Sequence, residues 1–166
     1  MRIGLLSNTR SERNRKGMTS LAAVIDQAPE VLHRPFRPDE GFGPPLRAMA
    51  EAGVELVVVN SGDGTVQGVL TELLAHQPFA TVPRIAILPR GMANMTAADC
   101  GLRGSGPDTL KRLLAACRSG TLDDHLAPRH VLKVDHAEGQ VAPRGMFTGA
   151  AGIVDVINHV KGKLHS

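Results

Sequence analysis

The chain is predicted to be an α/β protein, a three-layer nucleotide-binding domain followed by the first strands of a β-rich unit. Three observations carry that expectation. First, Val54-Glu55-Leu56-Val57-Val58-Val59 reads as a buried parallel strand. It runs into the glycine turn Asn60-Ser61-Gly62-Asp63-Gly64-Thr65 and then into a helix over 66–74, with Val66, Val69, Leu70, Leu73 and Leu74 on one face. Second, short apolar strands alternate with amphipathic helices up to about residue 122. Third, beyond that point strand-like runs follow one another with no crossover helix between them. The expected division is therefore 1–122 for the α/β domain and 123–166 for the beginning of a second, β-rich domain.

Each element has its own signal. Arg2 to Ser7 is a short apolar strand that opens into a polar, basic loop from Asn8 to Lys16. Met18 to Ala28 has helical spacing through Leu21, Val24 and Ile25, and Pro29 ends it. Glu30 to Phe36 is a second strand. The Pro- and Gly-containing stretch 37–45 is a loop, and Pro44 suits the first turn of a helix running to about Ala52, closed by Gly53. After the strand at 54–59 and its helix, Arg84 to Leu88 forms a fourth strand. It meets the turn Pro89-Arg90-Gly91-Met92-Ala93-Asn94, with a short helix after it. Pro107 to Arg118 buries Leu110, Leu113, Leu114 and Cys117, and Gly120 ends it. His130 to His136 alternates like an antiparallel strand, and Met146 to Val156 is a further apolar run. About forty residues cannot close a sandwich. The expectation is a chain cut from a longer protein, or one that borrows strands from a partner, with a homo-oligomer through the β-rich tail as one form.

Composition narrows the function. The chain has 166 residues, 42% of them hydrophobic and 21% charged, enough for a real core. It has no Trp or Tyr and four Phe, so stacking platforms for single-stranded nucleic acid are not expected. The net charge is +3, with basic residues gathered at Arg10, Arg13, Arg15 and Lys16; a solvated loop is the ordinary reading of that cluster. Cys100 and Cys117 lack CxxC spacing and read as reduced thiols. No segment has the length of a signal peptide core or a bilayer span, which predicts a cytoplasmic protein whose membrane contact is peripheral.

The glycine turn admits three readings. A plain β-to-α turn explains either glycine, but not an acid between two glycines followed by Thr at a helix start. A dinucleotide fingerprint is superficially matched by Gly62-x-Gly64-x-x-x-Gly68. That turn follows the third strand instead of the first, and its acid would repel a bare pyrophosphate. No Asp or Glu lies about 20 residues on to hold a ribose. No GK[ST] P-loop and no GxSxG elbow occur. The third reading is a metal–nucleotide kinase site. Backbone N–H groups at the helix start would hold phosphates, and Thr65 would bond a phosphate oxygen or cap the helix. Asp63 would act through Mg2+ or directly on the attacking hydroxyl.

Ser61-Gly62-Asp63-Gly64-Thr65 resembles the GGDGT signature of the diacylglycerol kinase, sphingosine kinase and NAD kinase superfamily, with Ser first as in sphingosine kinases. Ser7-Asn8-Thr9 with Gly17 is similar to the family's first-strand NPxxG loop. Leu88-Pro89-Arg90-Gly91-Met92-Ala93-Asn94 is similar to its LPxGTxN segment, which favours the lipid kinases. The three segments stand in the family's order. Met146-Phe147-Thr148-Gly149-Ala150-Ala151-Gly152-Ile153 is similar to the strand that opens the family's β-sandwich domain.

The resemblance implies a phosphofructokinase/NAD kinase-like α/β domain and an ATP-dependent lipid kinase. Such an enzyme transfers the γ-phosphoryl of Mg-ATP to the hydroxyl of a diacylglycerol- or sphingoid-type lipid. It further implies Asn8, Thr9, Ser61, Gly62, Gly64, Thr65, Gly91 and Asn94 as nucleotide contacts, Asp63 as catalytic residue and metal contact, and Arg15 or Lys16 as a source of charge near the phosphates. The chain also departs from the pattern. Gln67-Gly68 stands where the family usually carries Asn-Glu, so a carboxylate is missing. Met92, Ala93 and Met95 replace Thr, Gly and Asp. Two alternatives stay open: a degenerate, non-catalytic regulatory member that binds nucleotide or lipid, and an NAD or sugar kinase sharing the turn. The seven histidines show no HxH or HExxH pairing, and Asp123-Asp124-His125 reads as a charged turn.

Overall fold

The computed structural model describes residues 1–9, 12–91, 94–134 and 141–146, of which 12–18 and 38 as backbone only. Four strands, β1 (Ile3–Asn8), β2 (Val31–Phe36), β3 (Leu56–Ser61) and β4 (Arg84–Pro89), make one sheet in the order β2-β1-β3-β4. All three pairings are parallel. The helices are α1 (Glu12–Ile25), α2 (Gly43–Glu51), α3 (Asp63–Ala75), the short α4 (Met95–Asp99) and α5 (Gly106–Ser119). The apolar strands alternate in which layer they feed, because successive side chains point to opposite faces. Ile3, Leu5, Leu56, Val58, Ala86 and Leu88 pack with Leu21 of α1 and Leu110 and Leu114 of α5. Leu6, Val57, Val59 and Ile87 pack with Leu46 and Met49 of α2 and Val66, Val69 and Leu73 of α3. This is the expected three-layer α/β architecture. Pro35 is tolerated because β2 is an edge strand.

Several boundaries differ from expectation, each for a local reason. The residues from Glu12 to Lys16, read as loop, form the first turns of α1, so Gly17 lies inside a helix. Arg, Lys and Glu are good helix formers, and an acid at the first position suits the positive end of the helix. The strand expected at 54–59 is shifted two residues on, to Leu56–Ser61. Helix α3 begins at Asp63 instead of Val66, so Asp63, Gly64 and Thr65 of the glycine turn form the first turn of the helix itself. The expected closures at Gly53 (φ +71°) and Gly120 (φ +74°) are present, both in the left-handed region.

After α5 a single 3-10 turn (Leu122–His125) carries Asp123, whose carboxylate pairs with Arg84 at 2.8 Å. The chain then changes to an antiparallel hairpin of β5 (Leu132–Lys133) and β6 (Arg144–Gly145). These strands are much shorter than the expected one at 130–136, and most of the apolar run 146–156 lies outside the described residues. The hairpin rests on α3: the Arg144 N–H donates to Thr71 Oγ1 at 2.8 Å, and that hydroxyl bonds the Gln67 carbonyl at 2.8 Å. Cys100 and Cys117 are free thiols, and burial pushes both above the ordinary thiol range. Among the described residues no helix is long and apolar enough to cross a membrane.

Candidate active site at the carboxyl edge of the sheet

The chain leaves β1 toward β2 on one side and returns past it to build β3 on the other. The carboxyl ends of β1 and β3 therefore flank a topological switch point, where open parallel sheets leave a crevice for ligands. Asn8 ends β1 and Ser61 ends β3. Their side chains meet on one hydroxyl: Asn8 Nδ2 donates to Thr65 Oγ1 at 3.2 Å, and Ser61 Oγ donates to the same oxygen at 2.7 Å. Thr65 is buried and makes no side-chain cap for α3, whose Ncap is Gly62. The capping role offered as one alternative for Thr65 is thus not what its hydroxyl does.

The second loop is pressed against the first. A Cβ on Gly62 would lie 2.8 Å from Gly91 Cα, and one on Gly91 would clash with Gly62 Cα. Both glycines are needed because two backbones touch there. The Arg90 N–H donates to the Ser61 carbonyl at 3.4 Å, extending the β3–β4 ladder into the contact. Asn94 (φ +53°) takes the left-handed conformation that Asn tolerates, and its amide brackets Gly91: the Gly91 N–H donates to Oδ1 at 2.6 Å, and Nδ2 donates to the Gly91 carbonyl at 2.9 Å. Asn94 thus ties itself back to Gly91.

Asp63 joins the two loops. Its carboxylate accepts from the backbone N–H of Thr96 at 2.9 Å and of Met95 at 3.2 Å, the first residues of α4. Met95 itself is exposed and does not pack against the sheet. Met92 and Ala93 lie outside the described residues. Gly64 is exposed, and an added Cβ would meet nothing within 4 Å. A cleft of about 50 Å³ beside Asp63 is lined by Val66, Gln67, Leu70, Thr96 and Met146. A larger one, about 530 Å³, lies at the opposite, amino-terminal end of the sheet between Val54 and Arg84, away from this chemistry.

The structure therefore gathers Asn8, Ser61, Gly62, Asp63, Gly64, Thr65, Gly91 and Asn94 at one edge. Thr9 stands slightly apart, its N–H and its hydroxyl both directed to the Phe36 carbonyl, at 3.0 and 3.2 Å. Arg15 and Lys16 belong to α1, and their side chains lie outside what is described. Sequence reasoning missed two features. One is the ring of Phe42, which lies on Gly68 so closely that any Cβ there would clash with Cε2 and Cζ. The missing carboxylate at position 68 thus coincides with an aromatic ring that fills its place, and Phe42 also packs on Phe36 with centroids 5.4 Å apart. The other is a row of polar side chains on the far face: half-buried His33 and buried Ser7 and Asn60. Only Asn60, a polar residue ending an apolar run, gave a signal in the sequence.

Asp63 is a single carboxylate, and among the described residues no group of three His, Cys, Asp or Glu stands together as a metal cage. One carboxylate fits a magnesium ion that arrives on nucleotide phosphates and takes most of its other ligands from them and from water.

Two loops meeting at the switch point of a parallel sheet define an α/β protein of the class that takes ligands at the carboxyl edge. Residues 5–123 match the diacylglycerol kinase catalytic domain, which is most of the chain, and the protein belongs to that family. No curated protein matches the chain. Among solved structures it is similar to a diacylglycerol kinase from Bacillus anthracis strain Sterne, with a TM-score of 0.54 and 21% identity over 80% of this chain and 42% of that one. Two candidate diacylglycerol kinases from the same strain resemble it equally, with TM-scores of 0.53 and 0.55, identities of 19% and 21%, and 80% of this chain covered. This likeness confirms the fold. The chain spans only 39% to 43% of the length of those proteins.

Proposed function

We propose that this chain is the nucleotide-binding part of an ATP-dependent lipid kinase, with residues 1–122 forming the α/β domain and the segment from 123 opening a second one. The observation that supports it most is the convergence of Asn8, Ser61–Thr65, Gly91 and Asn94 at the switch point, with Gly64 open to solvent in the first turn of α3. The N–H groups at the start of a 13-residue helix face an incoming phosphate there. Magnesium, arriving as part of the Mg-ATP substrate, spreads the charge of the transferring phosphoryl group.

In this reading Asn8, Ser61 and Thr65 position the phosphates, and Gly62 against Gly91 holds the two loops at a fixed spacing. Asp63 accepts the proton of the lipid hydroxyl. The lipid oxygen forms a bond to the γ-phosphorus while the bond from that phosphorus to the β–γ bridging oxygen breaks, leaving ADP. The acceptor would approach the cleft that Asp63 shares with Leu70 and Met146, reached from a membrane surface that the protein touches peripherally.

A second reading is a regulatory member that binds nucleotide without transferring phosphate. Two observations favour it: both oxygens of Asp63 already accept backbone N–H groups, and Phe42 fills the space beside Gly68. Calorimetric titration with Mg-ATP, run beside phosphoryl transfer to diacylglycerol and sphingoid acceptors, separates the two. Binding with turnover supports the kinase, and binding without turnover by the whole protein supports the regulator. Phosphorylation of NAD or of a sugar, with lipids untouched, would replace both readings.

A further inference from the structure

Beneath the site, on the face covered by α1 and α5, three neighbouring strands are tied together by side chains. Ser7 and Asn60 are almost wholly buried, at 1% and 0% exposure, and they face each other as the last paired residues of β1 and β3. Asn60 Nδ2 donates to Ser7 Oγ at 3.0 Å, and Ser7 Oγ lies 2.9 Å from His33 Nε2 on β2. A hydroxyl has one proton to give and two lone pairs. With one lone pair taken by Asn60, Ser7 Oγ can give its proton to Nε2 of a neutral His33 ring or accept one from it through its other lone pair. Burial favours that neutral form and holds the imidazole below its ordinary range.

The position of this row gives it a consequence for the other face. Ser7 precedes Asn8, and Asn60 precedes Ser61; successive strand residues point to opposite sides. The row below the sheet and the Asn8–Thr65–Ser61 cluster above it therefore hang on the same two pairs of adjacent residues. A shift of β1 against β3 that breaks the Ser7–Asn60 bond also moves Asn8 from Thr65. Resting on the reading of this edge as a nucleotide site, we propose that Ser7, Asn60 and His33 are positioning residues that lock the ends of β1 and β3 in the spacing the phosphates require. They touch no ligand. They act by removing freedom from the residues that do.

The test uses the full 166-residue chain with Mg-ATP as the probe. Ser7→Ala removes the shared oxygen, and His33→Leu removes the ring nitrogen at a half-buried site where the fold tolerates change. His33→Gln returns an amide in place of that nitrogen. Loss of one buried hydrogen bond that orders the site is expected to weaken Mg-ATP binding about tenfold in Ser7→Ala and His33→Leu, with His33→Gln recovering most of it. A long-range nitrogen–proton NMR spectrum should show one His33 tautomer held in the wild type and that preference lost in Ser7→Ala. If both variants merely melt earlier, and their folded fraction binds Mg-ATP as the wild type does, the row is structural only and the inference is overturned. A wild-type chain that fails to bind Mg-ATP overturns the nucleotide reading itself, and this inference with it.

Discussion

Gly64→Ala separates what the fold needs from what a ligand needs. Gly64 sits in the first turn of α3, its backbone is not in the left-handed region, and an added Cβ would meet nothing within 4 Å. The protein's own structure has no use for a glycine there. Replacing Gly by Ala in a helix removes conformational freedom from the unfolded chain and is worth about 0.5–1 kcal/mol. For a domain of this size that raises Tm by about 1–4 °C. If phosphates approach the helix start, the same methyl group stands between a phosphate oxygen and the backbone N–H groups. Losing one charge-assisted hydrogen bond costs about 1.5–3 kcal/mol, or roughly 10- to 100-fold in affinity. The assay is a thermal melt beside a Mg-ATP titration of the same variant. A more stable protein that binds poorly is the expected result. Unchanged affinity would show that no phosphate comes near residue 64, and a lowered Tm would show that the space beside it is not open.

Other expectations follow from the same geometry. Gly68→Ala places a Cβ into the Phe42 ring and should cost about 1–3 kcal/mol in denaturant unfolding, with much of that recovered on adding Phe42→Ala; a neutral single variant would mean that the ring moves aside freely. Asp63→Ala strips the acceptor from the Met95 and Thr96 N–H groups. It should lower stability by about 1 kcal/mol and eliminate phosphoryl transfer in a radiolabelled-ATP assay. Stability loss with transfer intact would leave Asp63 as a structural link only. His33 has its imidazole pKa depressed from 6.5 by burial, so the unfolded chain takes up a proton before the folded one does. Stability should be level above about pH 6.5 and fall as pH drops toward the folded-state value. In His33→Gln that part of the slope should vanish from melts recorded across pH 5–8, and an unchanged slope would assign it to other groups.

How much of the site was legible depended on whether a residue's role is local. Gly62, Gly91 and Asn94 carry their purpose in composition, since close backbone contact and a left-handed turn limit the choice to a few residue types. The end of α5 at Gly120 was equally plain, whereas its start, capped by Ser105 through the Asp108 N–H, lies one residue before the expected Pro107. The start of α1 was misread because charge was taken for exposure and exposure for loop, whereas Glu, Arg and Lys serve a helix well. The short strands of the hairpin were overestimated because alternation alone does not set length; pairing partners do.

The sequence by itself determined the parallel α/β layout and the place of the glycine turn. Strand burial on both faces demands continuous apolar runs, and left-handed or close-packed backbone demands glycine. Tertiary structure alone decided the rest. It brought Asn8 and Ser61 onto one hydroxyl, joined Asp63 to α4, laid Phe42 on Gly68 and tied His33 to Ser7 across two neighbouring strands. Those contacts join residues from 4 to 57 positions apart in the chain. Except for the shortest of them, no local pattern encodes such a meeting, because it depends on strand order and on which face each side chain is given.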